Sequence, residues 1–196
     1  MARIINDDLI FIHVAKTGGT FFKEIINYNG IRNYETGEEI NHKHIGYTEL
    51  IEDYPNHTYF AFIRKPHEWL ISRYAYACKT DFGDKIKVLK SAQSHWMADV
   101  WDNSLNGFIK NVIKKCPDIP TTYFNDMTLM DESSNVKIFT MERMDIAFDW
   151  LSLNLDKKIA VPKTLKNYNK STKYNIDDSY VNSIYEANIK IYNKYY

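Results

Sequence analysis

The sequence predicts an α/β fold, a single domain with a mainly parallel central sheet flanked by helices. Residues 9–15 have the pattern of a buried strand and run through a glycine-containing turn into a helical pattern at 20–29. A second apolar strand pattern at 59–64 is stopped by Pro66, and helical spacing follows it. Strand patterns that alternate with helical patterns are typical of βαβ units, whose strands run parallel.

The rest of the chain continues this alternation. Residues 136–141 predict a further strand, whereas the polar stretch 31–44 predicts a loop with room for a short strand. The sequence contains no repeat or linker, so one domain is predicted over residues 1–196. The further helices are predicted at 47–54, 67–78, 85–101, 104–116, 144–153 and 177–196.

Composition narrows the classes of function. Apolar residues make up 44% of the chain and aromatic residues 15%, as in folded globular proteins. The formal net charge is zero, so no global field attracts nucleic acid or an anionic membrane, and neither is expected as a partner. Cys78 and Cys116 cannot form a disulfide framework, and no His/Cys cluster has the spacing of metal ligands. We therefore expect no metal.

The sequence carries no recognisable targeting segment. The apolar run Leu9–Ala15 is much shorter than the roughly 20 residues that span a bilayer. The residues before this run contain an acidic pair, Asp7 and Asp8, and they include no long apolar stretch. These features predict a soluble, cytoplasmic protein.

The turn after the first predicted strand has the chemistry of an anion site. A strand-to-helix turn directs backbone N–H groups and the positive end of the helix dipole at one point. The two glycines let the backbone approach an anion closely, the lysine adds a positive charge, and the threonines add hydroxyl donors. A phosphate or sulfate suits these donors, although an ordinary turn with a solvated lysine is the alternative. This glycine turn consists of Lys16, Thr17, Gly18, Gly19 and Thr20.

A second candidate anion site follows the strand at 59–64. Arg64 ends that strand, and Pro66 suits a helix start because its φ is fixed near the helical value. Ser72 lies about two helical turns further on. Arg64 and Ser72 are therefore predicted to converge on one cluster of oxygens, since arginine suits multidentate recognition of phosphate. A solvated arginine beside an ordinary helix is the alternative.

Together, the two segments resemble the sulfotransferases that use 3′-phosphoadenosine 5′-phosphosulfate (PAPS), in particular the branch of heparan-type and bacterial carbohydrate sulfotransferases. The resemblance implies a P-loop-kinase-like sulfotransferase fold. It also implies that the glycine turn wraps the 5′-phosphosulfate and that Arg64 and Ser72 bind the 3′-phosphate. The late segment Asn167–Ser171 is similar to a family segment near the nucleotide, which implies that Lys170 and Ser171 contact the donor.

The same resemblance implies which groups carry the chemistry. Lys16 is expected to stabilise charge on the leaving oxygen. The run Asn41–Leu50 resembles the family's histidine segment, so His44 is the candidate general base and His42 the alternate. A polar surface loop with two ordinary histidines is the other interpretation. His13, inside the first predicted strand, is interpreted as a packed histidine.

The predicted function is transfer of the sulfuryl group from PAPS to a hydroxyl or amine of a glycan or small-molecule acceptor. A nucleotide or phosphate kinase is one alternative, but the P-loop of such enzymes places its lysine after the glycines, whereas Lys16 precedes them. A non-catalytic nucleotide- or glycan-binding module is the other. The short chain favours it, as do Ala15, where the family usually has proline, and Phe21, where a small hydroxyl residue is common. The acceptor and the oligomeric state stay open.

Overall fold

The computed structural model of the chain groups into two compact units. The first contains Met1–Arg64 and Tyr123–Lys170, and the second contains Lys65–Thr122 and Ser171–Tyr196. One domain over residues 1–196 stays a prediction. The residues that the structure describes are 2–36, 45–80, 96–130, 135–165, 174 and 176–196.

The first unit is built on a sheet whose described part has five strands. These are β1 Arg3–Ile5, β2 Leu9–Ile12, β3 Asn33–Glu35, β4 Thr58–Ile63 and β5 Val136–Thr140. Their order across the sheet is β3-β1-β2-β4-β5. β2, β4 and β5 are parallel, whereas β1 is antiparallel to both β2 and β3. The prediction of a mainly parallel sheet is therefore right for β2, β4 and β5 and wrong for the other edge, and the sheet is mixed.

A tight hairpin explains the antiparallel edge. Asn6 and Asp7 both have positive φ, at 53° and 68°, and Asp8 N donates to the Ile5 carbonyl over 3.3 Å. Ile5 pairs with Leu9, so the loop consists of the three residues Asn6–Asp8. Left-handed φ at both central residues of the Ile5–Asp8 turn is typical of type I′, whose twist matches that of paired strands. The Asn-Asp pair between two apolar runs is the sequence signal for this hairpin.

The described helices are α1 Gly19–Tyr28, α2 Tyr47–Asp53, α3 Pro66–Lys79, α4 Trp96–Val100, α5 Leu105–Lys115, α6 Ile119–Thr128, α7 Met144–Asn154, α8 Asp178–Ala187 and α9 Ile189–Tyr195. Short 3₁₀ turns occur at Met141–Arg143 and Lys163–Leu165. The predictions for α1, α2, α3, α5 and α7 are confirmed to within one residue at each end. Of the helix predicted at 85–101, the part that the structure describes is helical in α4, and α6 was not predicted.

Aromatic side chains form the core beneath the end of β2 and the start of α1. Phe11, Phe22, Phe60 and Phe62 are at most 1% exposed. The ring centroid of Phe11 lies 4.4 Å from that of Phe22 and 5.5 Å from that of Phe62. Such pairs add about 0.5–1.5 kcal/mol each beyond the burial of area. The core therefore fixes both ends of the glycine turn, because Phe11 precedes it and Phe22 follows it.

The second unit has its own aromatic core. Trp69 of α3 is fully buried and stacks on Trp96 with ring centroids 5.9 Å apart. Tyr74, one turn further along α3, stacks on Trp101 at 5.4 Å and contacts Phe108 at 5.4 Å. These contacts show that the apolar positions of α3 serve packing within this unit.

Asn188 divides the predicted helix 177–196 into α8 and α9. Its side chain is 1% exposed and makes several hydrogen bonds within the second unit. The amide nitrogen donates to the carbonyls of Pro117 and Ile184, and the amide oxygen accepts from the backbone N–H and the hydroxyl of Thr121. The break in the helix thus depends on tertiary contacts, which the helical pattern of the sequence does not record.

We expect Asn188→Ala to lower the free energy of unfolding by about 2 kcal/mol, because the substitution leaves part-buried polar groups of Pro117 and Thr121 without their partner. Urea unfolding of the purified protein measures this change. The control is Asn193→Ala, which removes an exposed asparagine from α9. Equal unfolding midpoints for the two variants would show that the Asn188 contacts contribute little.

Candidate functional site

The strand before the glycine turn ends earlier than its apolar pattern predicts. β2 stops at Ile12, and the Val14 N–H donates to the Ile12 carbonyl over 3.1 Å. A bond between residues two apart closes a three-residue turn centred on His13. Val14 is fully buried all the same, so the apolar run continues past the strand and packs without pairing. The chain therefore leaves the sheet at the carboxyl end of β2 and reaches the glycine turn within a few residues.

The backbone of the glycine turn contains two left-handed residues close together. Lys16 has φ 68° and Gly18 has φ 84°. Glycine adopts this conformation freely, whereas for a lysine it costs about 1–2 kcal/mol. Left-handed residues at such short spacing turn successive N–H groups inward, an arrangement that binds anions.

The start of α1 supplies further N–H groups. The first helical hydrogen bond runs from the Phe22 N–H to the Gly18 carbonyl over 2.9 Å, so the N–H groups of residues 18–21 have no partner inside the helix. Gly18, at the N-cap, has no side chain that could accept from them. The first turn of α1, all of which is described, carries no acidic residue. The positive end of this helix dipole is thus suited to an anionic ligand.

The two threonines of the glycine turn differ in their surroundings. Thr17 is fully buried, and its hydroxyl donates to the Val14 carbonyl over 2.8 Å. This hydrogen bond engages the hydroxyl proton within the turn itself, and the role of Thr17 in donor binding stays a prediction. Thr20 is exposed, so its hydroxyl is accessible from solvent.

The side chains of His13, Met141 and Met144 fill the space beside the two glycines. A Cβ atom on Gly19 would lie 2.1 Å from both Cδ2 and Nε2 of His13. A Cβ atom on Gly18 would lie 2.9 Å from Cε of Met144 and 3.0 Å from Cε of Met141. The packing around the turn therefore favours residues without a side chain at both positions, and the approach of a ligand to these glycines stays a prediction. Sequence reasoning missed both methionines, since no local pattern links them to a turn more than 120 residues earlier.

The register of the sheet brings a second cation to the same edge. In the parallel pairing of β2 with β4, Ile12 lies opposite Ala61, so Lys16 and Arg64 both follow the carboxyl ends of adjacent strands. In the pairing of β4 with β5, Ile63 lies opposite Thr140, which places Met141 at this edge as well. Ligands of α/β sheets bind at such edges. Lys16 and Arg64 are both half-buried.

The remaining predicted site residues do not belong to the described part of the first unit. Ser72 belongs to the second unit, where it sits on α3 with 8% of its surface exposed. Its convergence with Arg64 on a 3′-phosphate stays a prediction. Four further candidates fall outside the residues that the structure describes, namely His42, His44, Lys170 and Ser171.

Comparison with known proteins decides the family. A model of the sulfotransferase family matches residues 5–193, a span that includes the glycine turn, Arg64 and Ser72. The chain belongs to the sulfotransferase family. Searches of curated proteins and of solved structures gave no significant match. The resemblance drawn from the glycine turn and the Arg64 segment is thus confirmed at the level of the family.

Membership supports sulfuryl transfer as the general activity and fits a mixed α/β sheet flanked by helices. The P-loop-kinase-like form of this sulfotransferase fold stays a prediction. Among the described helices, none is long and apolar enough to cross a membrane. In the same part of the chain, no group of three or more His, Cys, Asp or Glu side chains is placed to hold a metal ion.

Proposed function

We propose that this sulfotransferase moves the sulfuryl group of PAPS to a hydroxyl or amine of a glycan or small-molecule acceptor. The proposal rests on the glycine turn. Left-handed residues at Lys16 and Gly18 turn N–H groups inward, and α1 begins there with no acidic residue in its first turn. Lys16 adds a full positive charge, and Arg64 follows the adjacent parallel strand. The N–H groups and Lys16 suit the 5′-phosphosulfate, the part of the donor at which the bond breaks, and Arg64 is proposed to bind the 3′-phosphate.

The transfer requires one bond to form and one to break at sulfur. A lone pair of the acceptor oxygen or nitrogen forms a bond to the sulfur atom, and the bond from sulfur to the bridging oxygen of the 5′-phosphate breaks. 3′-Phosphoadenosine 5′-phosphate (PAP) leaves with that electron pair. Lys16 and the N–H groups of the turn stabilise the charge that develops on the leaving oxygen. The acceptor proton passes to a base.

The remaining roles rest on the family resemblance. His44 is the proposed base and His42 the alternate, because a histidine within hydrogen-bond reach of the acceptor can take its proton. Binding of the 3′-phosphate is assigned to Arg64, Ser72, Lys170 and Ser171. Among these, Arg64 is the most direct to test, since it follows β4 at the same edge of the sheet as Lys16.

We expect PAP to stabilise the protein in a thermal-shift titration. Ligand at 100 times its Kd adds about 2.7 kcal/mol, which for a chain of this length raises the Tm by roughly 5–10 °C. Arg64→Ala should lose most of this shift if Arg64 binds the 3′-phosphate. The matched control is Arg32→Ala, which removes an exposed arginine that pairs with Asp7 in the same unit.

Three ligands and one transfer assay separate this proposal from its alternatives. PAP should shift the Tm more than 5′-AMP, which lacks the 3′-phosphate. A shift with Mg-ATP and its hydrolysis, without a PAP shift, would instead support a kinase. A PAP shift with no transfer of radiolabelled sulfuryl group from PAPS to a broad panel of glycans, phenols and amines would support a non-catalytic module.

A further inference from the structure

His13 connects the aromatic core to the glycine turn. Its ring stacks on that of Phe11, with centroids 6.0 Å apart and an interplanar angle of 23°. Phe11 is 1% exposed and contacts Phe22, Phe60 and Phe62. His13 itself is half-buried, and its imidazole lies between the aromatic core and the glycine turn.

The imidazole lies against the first residue of α1. A Cβ on Gly19 would lie 2.1 Å from Cδ2 and Nε2 of His13 and 2.9 Å from its Cε1, far inside van der Waals contact. The space that a side chain at residue 19 would occupy is therefore filled by the ring. Movement of the His13 ring away from Gly19 is restricted, because the ring stacks on Phe11 and the three-residue turn fixes the backbone of His13.

We propose that His13 is a positioning residue for the donor's 5′-phosphosulfate. The ring sets the position of the peptides on either side of Gly19, and their N–H groups belong to the uncapped start of α1 that is proposed to hold the anion. The inference rests on the proposed function, because it assumes that the glycine turn binds the 5′ end of PAPS. It adds a residue that the anion motifs do not contain.

The steric relation of the two residues makes the inference testable by a double-mutant cycle. His13→Ala leaves the turn without its support, and we expect the Kd for PAP to rise about 10-fold. Gly19→Ala forces the turn away from the ring, and we expect a rise of about 100-fold or more. In the double variant the methyl group occupies space that the ring has left, so PAP should bind more tightly than to Gly19→Ala alone.

Titration calorimetry with PAP and with 3′-AMP separates positioning from general damage. 3′-AMP lacks the 5′-phosphate, so His13→Ala should leave its Kd unchanged while that of PAP rises. His13→Gln keeps a flat polar group of similar reach and should stay within about 3-fold of wild type. His57→Gln is the matched control, because His57 immediately precedes β4 and so lies at the opposite edge of the sheet.

Each outcome decides one question. Rescue in the double variant, together with an effect confined to PAP, supports the inference. Independent losses without rescue, or equal changes in PAP and 3′-AMP affinity, would overturn it. If His13→Ala does not fold, as judged by circular dichroism and urea unfolding, His13→Asn takes its place in the cycle. Failure of the wild-type protein to bind PAP would count against the proposed function itself.

Discussion

Lys16→Ala is expected to lower kcat for sulfuryl transfer by about 10²–10³-fold, the usual effect of removing one group that stabilises charge on a reacting oxygen. The charge develops only as the bond from sulfur to the bridging oxygen breaks. Affinity for PAP, in which the phosphate is already charged, should fall less, by about 10-fold or under. The decisive measurement is therefore the split between kcat for transfer and the Kd for PAP.

The control for Lys16→Ala is Lys23→Ala. Lys23 lies on α1, one turn beyond the glycine turn, and its amine is 3.6 Å from the carboxylate of Glu35. This variant loses the same charge from the same unit, so a general electrostatic effect would appear in both. If kcat falls equally in the two variants, Lys16 does not act on the leaving oxygen.

Local patterns in the sequence predicted most of the regular structure. The apolar runs that became β2, β4 and β5 are bounded by turn or proline signals, and the helices between them have clear periodicity. β1 and β3 have three residues each, too few for a periodic signal, and they join the sheet through pairing with neighbours. The break at Asn188 likewise depends on Thr121 and Pro117, which lie more than 60 residues away in the chain.

The candidate site divides in the same way. The position of Lys16, Gly18 and Gly19 in a strand-to-helix turn could be predicted, because a strand, a glycine pair and a helix start are consecutive in the sequence. The burial of the Thr17 hydroxyl could not, since it depends on how the chain turns after Ile12. The contacts of Met141 and Met144 with the turn arise from the parallel register of the sheet, which no single segment of the sequence encodes.

Gly18→Ala is expected to weaken PAP binding by about 100-fold, because both the backbone and the packing of the turn oppose a side chain there. Gly18 has φ 84°, and an added Cβ would meet the terminal methyl groups of Met144 and Met141 at 2.9 and 3.0 Å. The methionines are flexible enough to move, but any shift of the turn displaces the N–H groups at the start of α1. Titration calorimetry with PAP measures the loss.

Gly30→Ala separates the two causes of this effect. Gly30 also has positive φ, at 60°, yet a Cβ there would have no neighbour within 4 Å. Both variants should lose about 1–2 kcal/mol of stability through left-handed strain, measured by urea unfolding. Only Gly18→Ala should lose PAP binding, since only Gly18 lies in the glycine turn. Equal loss of PAP affinity in both variants would show that strain in the first unit, rather than the shape of the glycine turn, controls donor binding.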